Sequence, residues 1–199
     1  MSSRTRPAPA ERRGEGRSRI VEEATELFLA RGYADVSMQN IADAAGVTKA
    51  TLYHHFTGKE SLFAEVARSQ VNQFWEGIIR YAERGNSLRE SLTSIARFLG
   101  DESPRLVFWR LIDDMQRYLS PETLRVIFTE HPDPHDALRQ LFERAIESGE
   151  MRPLDTEVVA RIFEGMIMGI NTEGHSRREL RPEEAEQLVD VLLRGVATP

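Results

Sequence analysis

The 199-residue sequence predicts an all-α chain, with a small three-helix head that contains a helix-turn-helix and a larger helical body behind it. Three observations predict this. Apolar residues recur at intervals of three and four along most of the chain, and no stretch alternates as a strand would. Glycine and proline fall at the ends of the periodic runs, where they stop and start helices. An apolar fraction of 40% is enough to build a core, and there is no internal repeat.

Composition narrows the function. The chain has no cysteine, which excludes disulfides, thiolate metal sites and a thiol nucleophile. No segment approaches the roughly 18 apolar residues that a membrane span needs. The charged, proline-containing N-terminus lacks the apolar run of a signal peptide, so the cytoplasm is the expected compartment and no membrane partner is expected. Net charge is −6 and uneven. The first sixty residues carry a slight basic excess, and the acidic excess lies in 61–199. The body would repel a polyanion and the head would not, which favours one docked face over a generally sticky surface.

Residues 1–16 place Arg4, Arg6, Arg12 and Arg13 among prolines, serines and glycines. They read as a flexible basic arm, able to lie along phosphates or reach a minor groove. Helical periodicity begins near Ser18, a candidate N-cap, and runs through Ile20, Ala24, Leu27 and Phe28 to a C′ glycine at Gly32. Ser37 caps a second helix with Asn40 as an imperfect capping-box partner, and Ile41, Ala42 and Ala45 face inward. Gly46 stops it and Val47 plugs the turn. Thr48 caps a third helix anchored by Leu52 and Phe56, which leaves Lys49, Thr51, Tyr53 and His54 around its remaining face. Two helices joined by a short glycine-containing turn form a helix-turn-helix, whose second helix can enter a major groove. A structural hairpin has no need of an amine, hydroxyls, a phenol and imidazoles on its outer side. Thr48 could also bring backbone N–H groups to a phosphate. The Lys49 stem reaches base edges, and Thr51 offers a methyl and a hydroxyl. Adjacent His54 and His55 point about 100° apart on a helix, poorly placed to share a metal.

The body reads as helices in series. The first covers about Lys59 to Arg84, with Leu62, Phe63, Val66, Val71, Phe74 and Ile78 as its stripe. Helices follow from Ser87 to Leu99, after Pro104, from Ser120-Pro121 to about Thr129, and from about His135 to Ser148. Asp155 caps the next, which runs to Ile170. A polar linker spans 172–181, and Pro182 opens the last helix. Asp113 and Asp114 are expected on the solvated side beside Arg110 or Arg117, or with one of them facing a pocket.

The stretch from Ile20 to Phe63 closely resembles the DNA-binding domain of the TetR family of transcriptional regulators. The matching pattern is AxxLFxxRGYxxxSMxxIAxxAGVTKxTLYHHFxxKExLF. The resemblance implies a DNA-binding domain (17–62) followed by a helical effector-binding and dimerisation domain (63–199). It implies that Tyr53 and Lys59 bond backbone phosphates and that Thr51 contacts DNA. His54 would lie near bases or phosphates, with His55 beside the backbone or packed on the next helix. It further implies that Gln39 reaches the groove edge and that Ser37 combines its cap with a phosphate contact. Tyr53 could instead brace the first and third helices. Ala50 departs from the glycine common in the family, a mild change inside a helix.

Two features of the body bear on partners. The last two helices are apolar over a wide arc, through Val158, Val159, Ile162, Phe163, Met166 and Ile167, then Leu188, Val189, Leu192 and Val196. Such a pair either forms core or meets a symmetric copy, and the family dimerises there. Two symmetric heads would read a near-palindromic double-stranded operator. Aromatic and methionine side chains in the middle, above all Trp75, Trp109, Met115, Tyr118 and Phe163, either fill the core or line an apolar cavity. The resemblance implies that such a cavity binds a small effector, whose binding separates the heads and releases a repressor. No phosphate loop, zinc-protease motif or nucleophile elbow occurs, so neither an enzyme nor a cofactor is expected. The alternative is a dimeric helical sensor or adaptor whose head binds protein.

Overall fold

A computed structural model describes residues 9–100, 102–130, 132–170 and 181–196. Among these residues ten helices follow one another: α1 (Pro9–Arg31), α2 (Met38–Ala44), α3 (Lys49–His55), α4 (Lys59–Arg84), α5 (Leu88–Gly100), α6 (Glu102–Tyr118), α7 (Pro121–Thr129), α8 (Pro134–Glu147), α9 (Thr156–Ile170) and α10 (Pro182–Val196). No β-strand occurs among the described residues. Contacts divide the chain into two compact units, Met1–Gln70 with Arg110–Phe128, and Val71–Trp109 with Thr129–Pro199.

In the first unit, α1, α2, α3 and the start of α4 enclose Ile20, Ala24, Phe28, Ile41, Ala42, Leu52, Leu62, Phe63 and Val66, all buried. Phe63 meets Phe28 edge-on at 5.1 Å between ring centroids. α2 and α3 have only seven residues each, too few to persist alone. Caps and buried anchors hold them. At α2 the capping box is complete: Ser37 Oγ accepts from the Asn40 amide at 3.1 Å, and Asn40 Oδ1 accepts from the Ser37 amide at 2.9 Å. The far end closes as a Schellman turn, with the Val47 amide donating to the Ala42 carbonyl at 2.9 Å and the Gly46 amide to that of Asp43 at 3.2 Å. Gly46 is left-handed at φ +61°, where a side chain would strain the backbone.

Three expectations need correction. α1 already begins at Pro9, so 9–16 are helix and not a flexible arm, and Ser18 is an interior residue and not a cap. Proline without an N–H suits a first turn, and the Glu and Arg that follow are good helix formers. Residues 1–8, with Arg4 and Arg6, lie outside the described residues, as does most of the 172–181 linker. α6 starts at Glu102, ahead of Pro104, which occupies the first turn, where amides have no intrahelical partner to lose. Finally, Asp114 is neither a solvated charge nor a pocket selector: its Oδ2 accepts the Tyr33 amide at 2.8 Å. The end of α6 therefore grips the α1–α2 connection, and residues 110–128 belong to the first unit.

In the second unit α10 packs on α5 and α8 on α9, around Leu92, Ile95, Phe142, Val159, Phe163, Ala185 and Val189. Gly77 of α4 lets the Phe98 ring of α5 approach so closely that a Cβ there would overlap it. Asp133 caps α8 through the His135 amide at 2.9 Å, and Asp155 caps α9 through the Glu157 amide at 3.0 Å. Between these helices the His135 imidazole is held on both sides, Nε2 to Glu157 at 2.8 Å and Nδ1 to Glu164 at 3.0 Å. Hydrogen bonding to Glu164 and then Glu157 raises the His135 pKa against the effect of burial.

Candidate nucleic-acid interface

α3 presents a short outward surface on a fully buried anchor. Leu52 is 0% exposed and Phe56 5%, which fixes the roll of the helix. Lys49, Ala50, Thr51, Tyr53 and His54 are exposed, with Tyr53 50% accessible. The entrance is stiffened by a threonine pair. Thr48 Oγ1 accepts from the Thr51 amide at 3.1 Å, and the two hydroxyls meet at 2.9 Å. Each hydroxyl retains capacity for one more partner, and the Thr51 methyl is free for an apolar contact. At the other end the His54 and His55 rings meet edge-on, centroids 5.4 Å apart. His55 is partly buried, whereas His54 is open.

The flanking residues are more constrained. Gln39 Nε2 donates to Asp43 Oδ1 at 2.8 Å along the exposed side of α2. The Ser37 hydroxyl is used twice locally, accepting from the Asn40 amide and donating to Asn40 Oδ1 at 2.7 Å. Lys59, at the start of α4, does not extend freely into solvent. Its Nζ sits 4.0 Å from the centroid of the Tyr33 ring and points to the Ala34 carbonyl at 3.5 Å. Tyr33 is itself stacked on Tyr118 at 4.3 Å and tilted against Phe63 at 4.8 Å. Burial lowers the Lys59 pKa, opposed by the carboxylates of Asp114 and Asp35. Burial raises that of Tyr33, reinforced by Glu60 and Tyr118.

Thus Ser37, Gln39, Thr48, Lys49, Thr51, Tyr53, His54, His55 and Lys59 all lie in the helix-turn-helix or at its exit. Lys49, Thr51, Tyr53 and His54 share the exposed side of one short helix. The residues expected at an effector site are placed differently. Met115 is fully buried in the first unit, where Tyr118 stacks on Tyr33. Phe163 is fully buried in the core of the second unit, which also contains the partly exposed Trp75 and Trp109. Asp114 and Tyr33 were missed as a structural pair. The four-residue interval from Asp114 to Tyr118 puts both on one face of α6, but it does not name Tyr33 as their partner.

No group of three or more His, Asp or Glu among the described residues is placed to hold a metal ion. No helix among them is long and apolar enough to cross a membrane. The arrangement offers an amine, a phenol, hydroxyls and an imidazole on a rigid projecting helix, the chemistry of phosphate and base-edge contact.

Known proteins match this architecture. Residues 20–66 fit the model of the bacterial regulatory proteins, tetR family. The chain is 27% identical to the HTH-type transcriptional regulator SrpR of Pseudomonas putida over 176 residues, covering 80% of this chain and 75% of that one. It is 26% identical to the HTH-type transcriptional repressor KstR2 of Mycolicibacterium smegmatis over 166 residues, covering 82% and 79%. A transcriptional regulator of the TetR/AcrR family from Thermobifida fusca superposes with a TM-score of 0.67 at 26% identity, covering 93% of this chain and 98% of that chain. The helix-turn-helix head, the helical body and these matches agree, and the chain belongs to the TetR family of transcriptional regulators.

Proposed function

We infer that this regulator is a homodimeric repressor that binds a near-palindromic duplex operator through α3 and is released by a small apolar or amphipathic effector. The observation that carries the DNA-reading part is the exposed set Lys49, Thr51, Tyr53 and His54 on a helix whose inward face is locked by Leu52. Lys49 and Thr51 read bases, whereas Tyr53 and Lys59 set position on the phosphates. The assignment as a repressor follows the relative KstR2, a transcriptional repressor.

Dimerisation is supported by an apolar face on α9 and α10. Val158, Ile162 and Val191 are 49%, 48% and 65% exposed. They border an open cleft of about 470 Å³ that also takes in Leu154, Val159 and Leu192. A second copy of the same helix pair would cover these exposed aliphatic side chains by two-fold symmetry. Effector binding is supported by the aromatic group on α4, α5 and α6 within the second unit. Phe74 stacks on Phe108 at 3.9 Å and tilts against Phe98 at 5.3 Å. Those rings form an apolar aromatic cluster against which an effector of that chemistry would pack.

The test is binding to duplex DNA as a function of salt, using operator sequence selected from the DNA flanking the gene. Tyr53→Phe and Lys59→Ala should weaken operator and scrambled duplex by similar factors. Lys49→Ala should weaken the operator selectively. Equal losses on both duplexes for Lys49→Ala would refute the base-reading role. Flat salt dependence for the wild type would favour the protein-binding adaptor.

A further inference from the structure

The α1 helix supplies a cation that the recognition surface described above does not use. Arg19 is exposed on α1, and its guanidinium reaches across to the turn between α2 and α3. Its Nη2 lies 3.9 Å from where a Cβ on Gly46 would stand. Gly46 precedes Thr48, the cap of α3, by two residues. The guanidinium therefore sits beside the entrance of the recognition helix, although it comes from a different element. No carboxylate or carbonyl among the described residues accepts a hydrogen bond from it.

The contrast with its neighbour is informative. Arg17, two residues earlier on α1, is fully engaged. It pairs with Glu65 at 3.1 Å and lies over the Phe56 ring at 5.1 Å. Glu65 is held in turn by Arg68 at 3.1 Å, and its pKa is lowered chiefly by the Arg17 hydrogen bond. Arg17 is thus a brace between α1, α3 and α4. Arg19 has the same side chain on the same helix without that work to do. An arginine held by no partner among the described residues, beside a glycine turn, presents a planar fork of N–H donors to whatever docks there. The absence of a side chain at Gly46 keeps the approach open. The guanidinium and the Lys49 stem would then flank one end of α3 from two elements, which fixes the helix in the groove more firmly than contacts from α3 alone.

We propose that Arg19 is a DNA-positioning residue, donating to a backbone phosphate of the operator at the entrance side of α3. This rests on the DNA-binding reading of α3. It adds a contact from outside the helix-turn-helix, with no base specificity of its own.

The experiment compares Arg19→Ala, Arg19→Lys and Lys49→Ala with the wild-type full-length chain. Fluorescence anisotropy is recorded on an operator duplex and a scrambled duplex between about 50 and 200 mM salt, alongside thermal midpoints. Losing one phosphate contact lowers the magnitude of the slope of log K against log salt by about 0.9, which corresponds to about fivefold weaker binding near 0.15 M. Arg19→Ala should show that loss on both duplexes with an unchanged midpoint, and Arg19→Lys should recover most of the slope. An unchanged slope and affinity for Arg19→Ala, with Lys49→Ala still impaired, would overturn the Arg19 assignment and leave the DNA-binding reading intact. A loss of affinity with a lowered midpoint and unchanged slope would overturn it too, by making Arg19 structural. If the wild type shows neither a salt slope nor an operator preference, the DNA-binding reading itself fails.

Discussion

The bond from the Tyr33 amide to Asp114 makes a sharp test of how the head is held. Asp114→Ala removes the acceptor of a 2.8 Å hydrogen bond that spans 81 residues of sequence. A partly buried amide donating to an ionised carboxylate contributes about 1.5–3 kcal/mol, and an amide left without a partner forfeits most of that. Asp114→Asn keeps an oxygen acceptor at the same position and should lose only about 0.5–1.5 kcal/mol. A central loss of about 2 kcal/mol lowers the melting midpoint by about 4–8 °C in a chain of this size. It also speeds exchange of the Tyr33 amide about 30-fold where local opening limits exchange. The assay is hydrogen exchange at Tyr33, paired with thermal unfolding of wild type, Asp114→Asn and Asp114→Ala. The expected order is wild type, then Asn, then Ala, with the largest change at Tyr33 and its neighbours. Unchanged Tyr33 exchange in Asp114→Ala would refute the reasoning, because it would mean that α6 does not hold the connection between α1 and α2.

Other outcomes follow from the second unit. The His135 pKa is raised by Glu164 and Glu157, with Arg161 competing for Glu157 at 2.7 Å and Asp133 at the same helix end. Its stabilising contribution is therefore fully present below the ordinary histidine value of about 6.5 and is lost as pH rises through the higher folded value. Melting midpoints of wild type and His135→Gln should converge as pH increases across that window, and parallel curves would refute the clip. Val158→Asp with Ile162→Asp should shift the sedimentation coefficient from dimer to monomer while helicity is retained, and a persisting dimer would exclude this face. Phe163→Ala should cost about 3–5 kcal/mol if the ring is core. A cost below about 1 kcal/mol in chemical unfolding would instead suit a wall lining an open cavity.

The head was more legible than the body, and the reason lies in local chemistry. Ser37, Gly46 and Thr48 announce themselves because caps and left-handed turns demand particular residue types within three or four positions. The bounds of α4 were equally readable, since its apolar stripe from Leu62 to Ile78 keeps helical spacing. The start of α1 was not. Prolines and glycines suggested a flexible arm, but Pro9 at a first turn is compatible with helix, and composition alone did not distinguish the two. Asp114 was missed because its partner is a backbone amide 81 residues away, and backbone groups leave no trace in side-chain patterns. The aromatic residues of the middle of the chain were the least decidable. Met115 and Phe163 have the composition of a pocket wall, and burial in two separate cores depends on packing that no local pattern encodes.

The seven-residue α3 has a consequence for how such a regulator changes over evolutionary time. Its inward anchor, Leu52, and its entrance pair, Thr48 and Thr51, carry the fold. By contrast Lys49, Tyr53 and His54 are exposed, and among the described residues no hydrogen bond of the head depends on the side chain of Lys49 or Tyr53. On the base-reading role proposed for Lys49, substitution there would alter the preferred DNA sequence at little cost to stability, and substitution at Tyr53 would change the strength of docking. The head is in effect a socket with interchangeable teeth. Gene duplication followed by a few changes on that rim could redirect a copy to a new promoter before the body acquires a new signal.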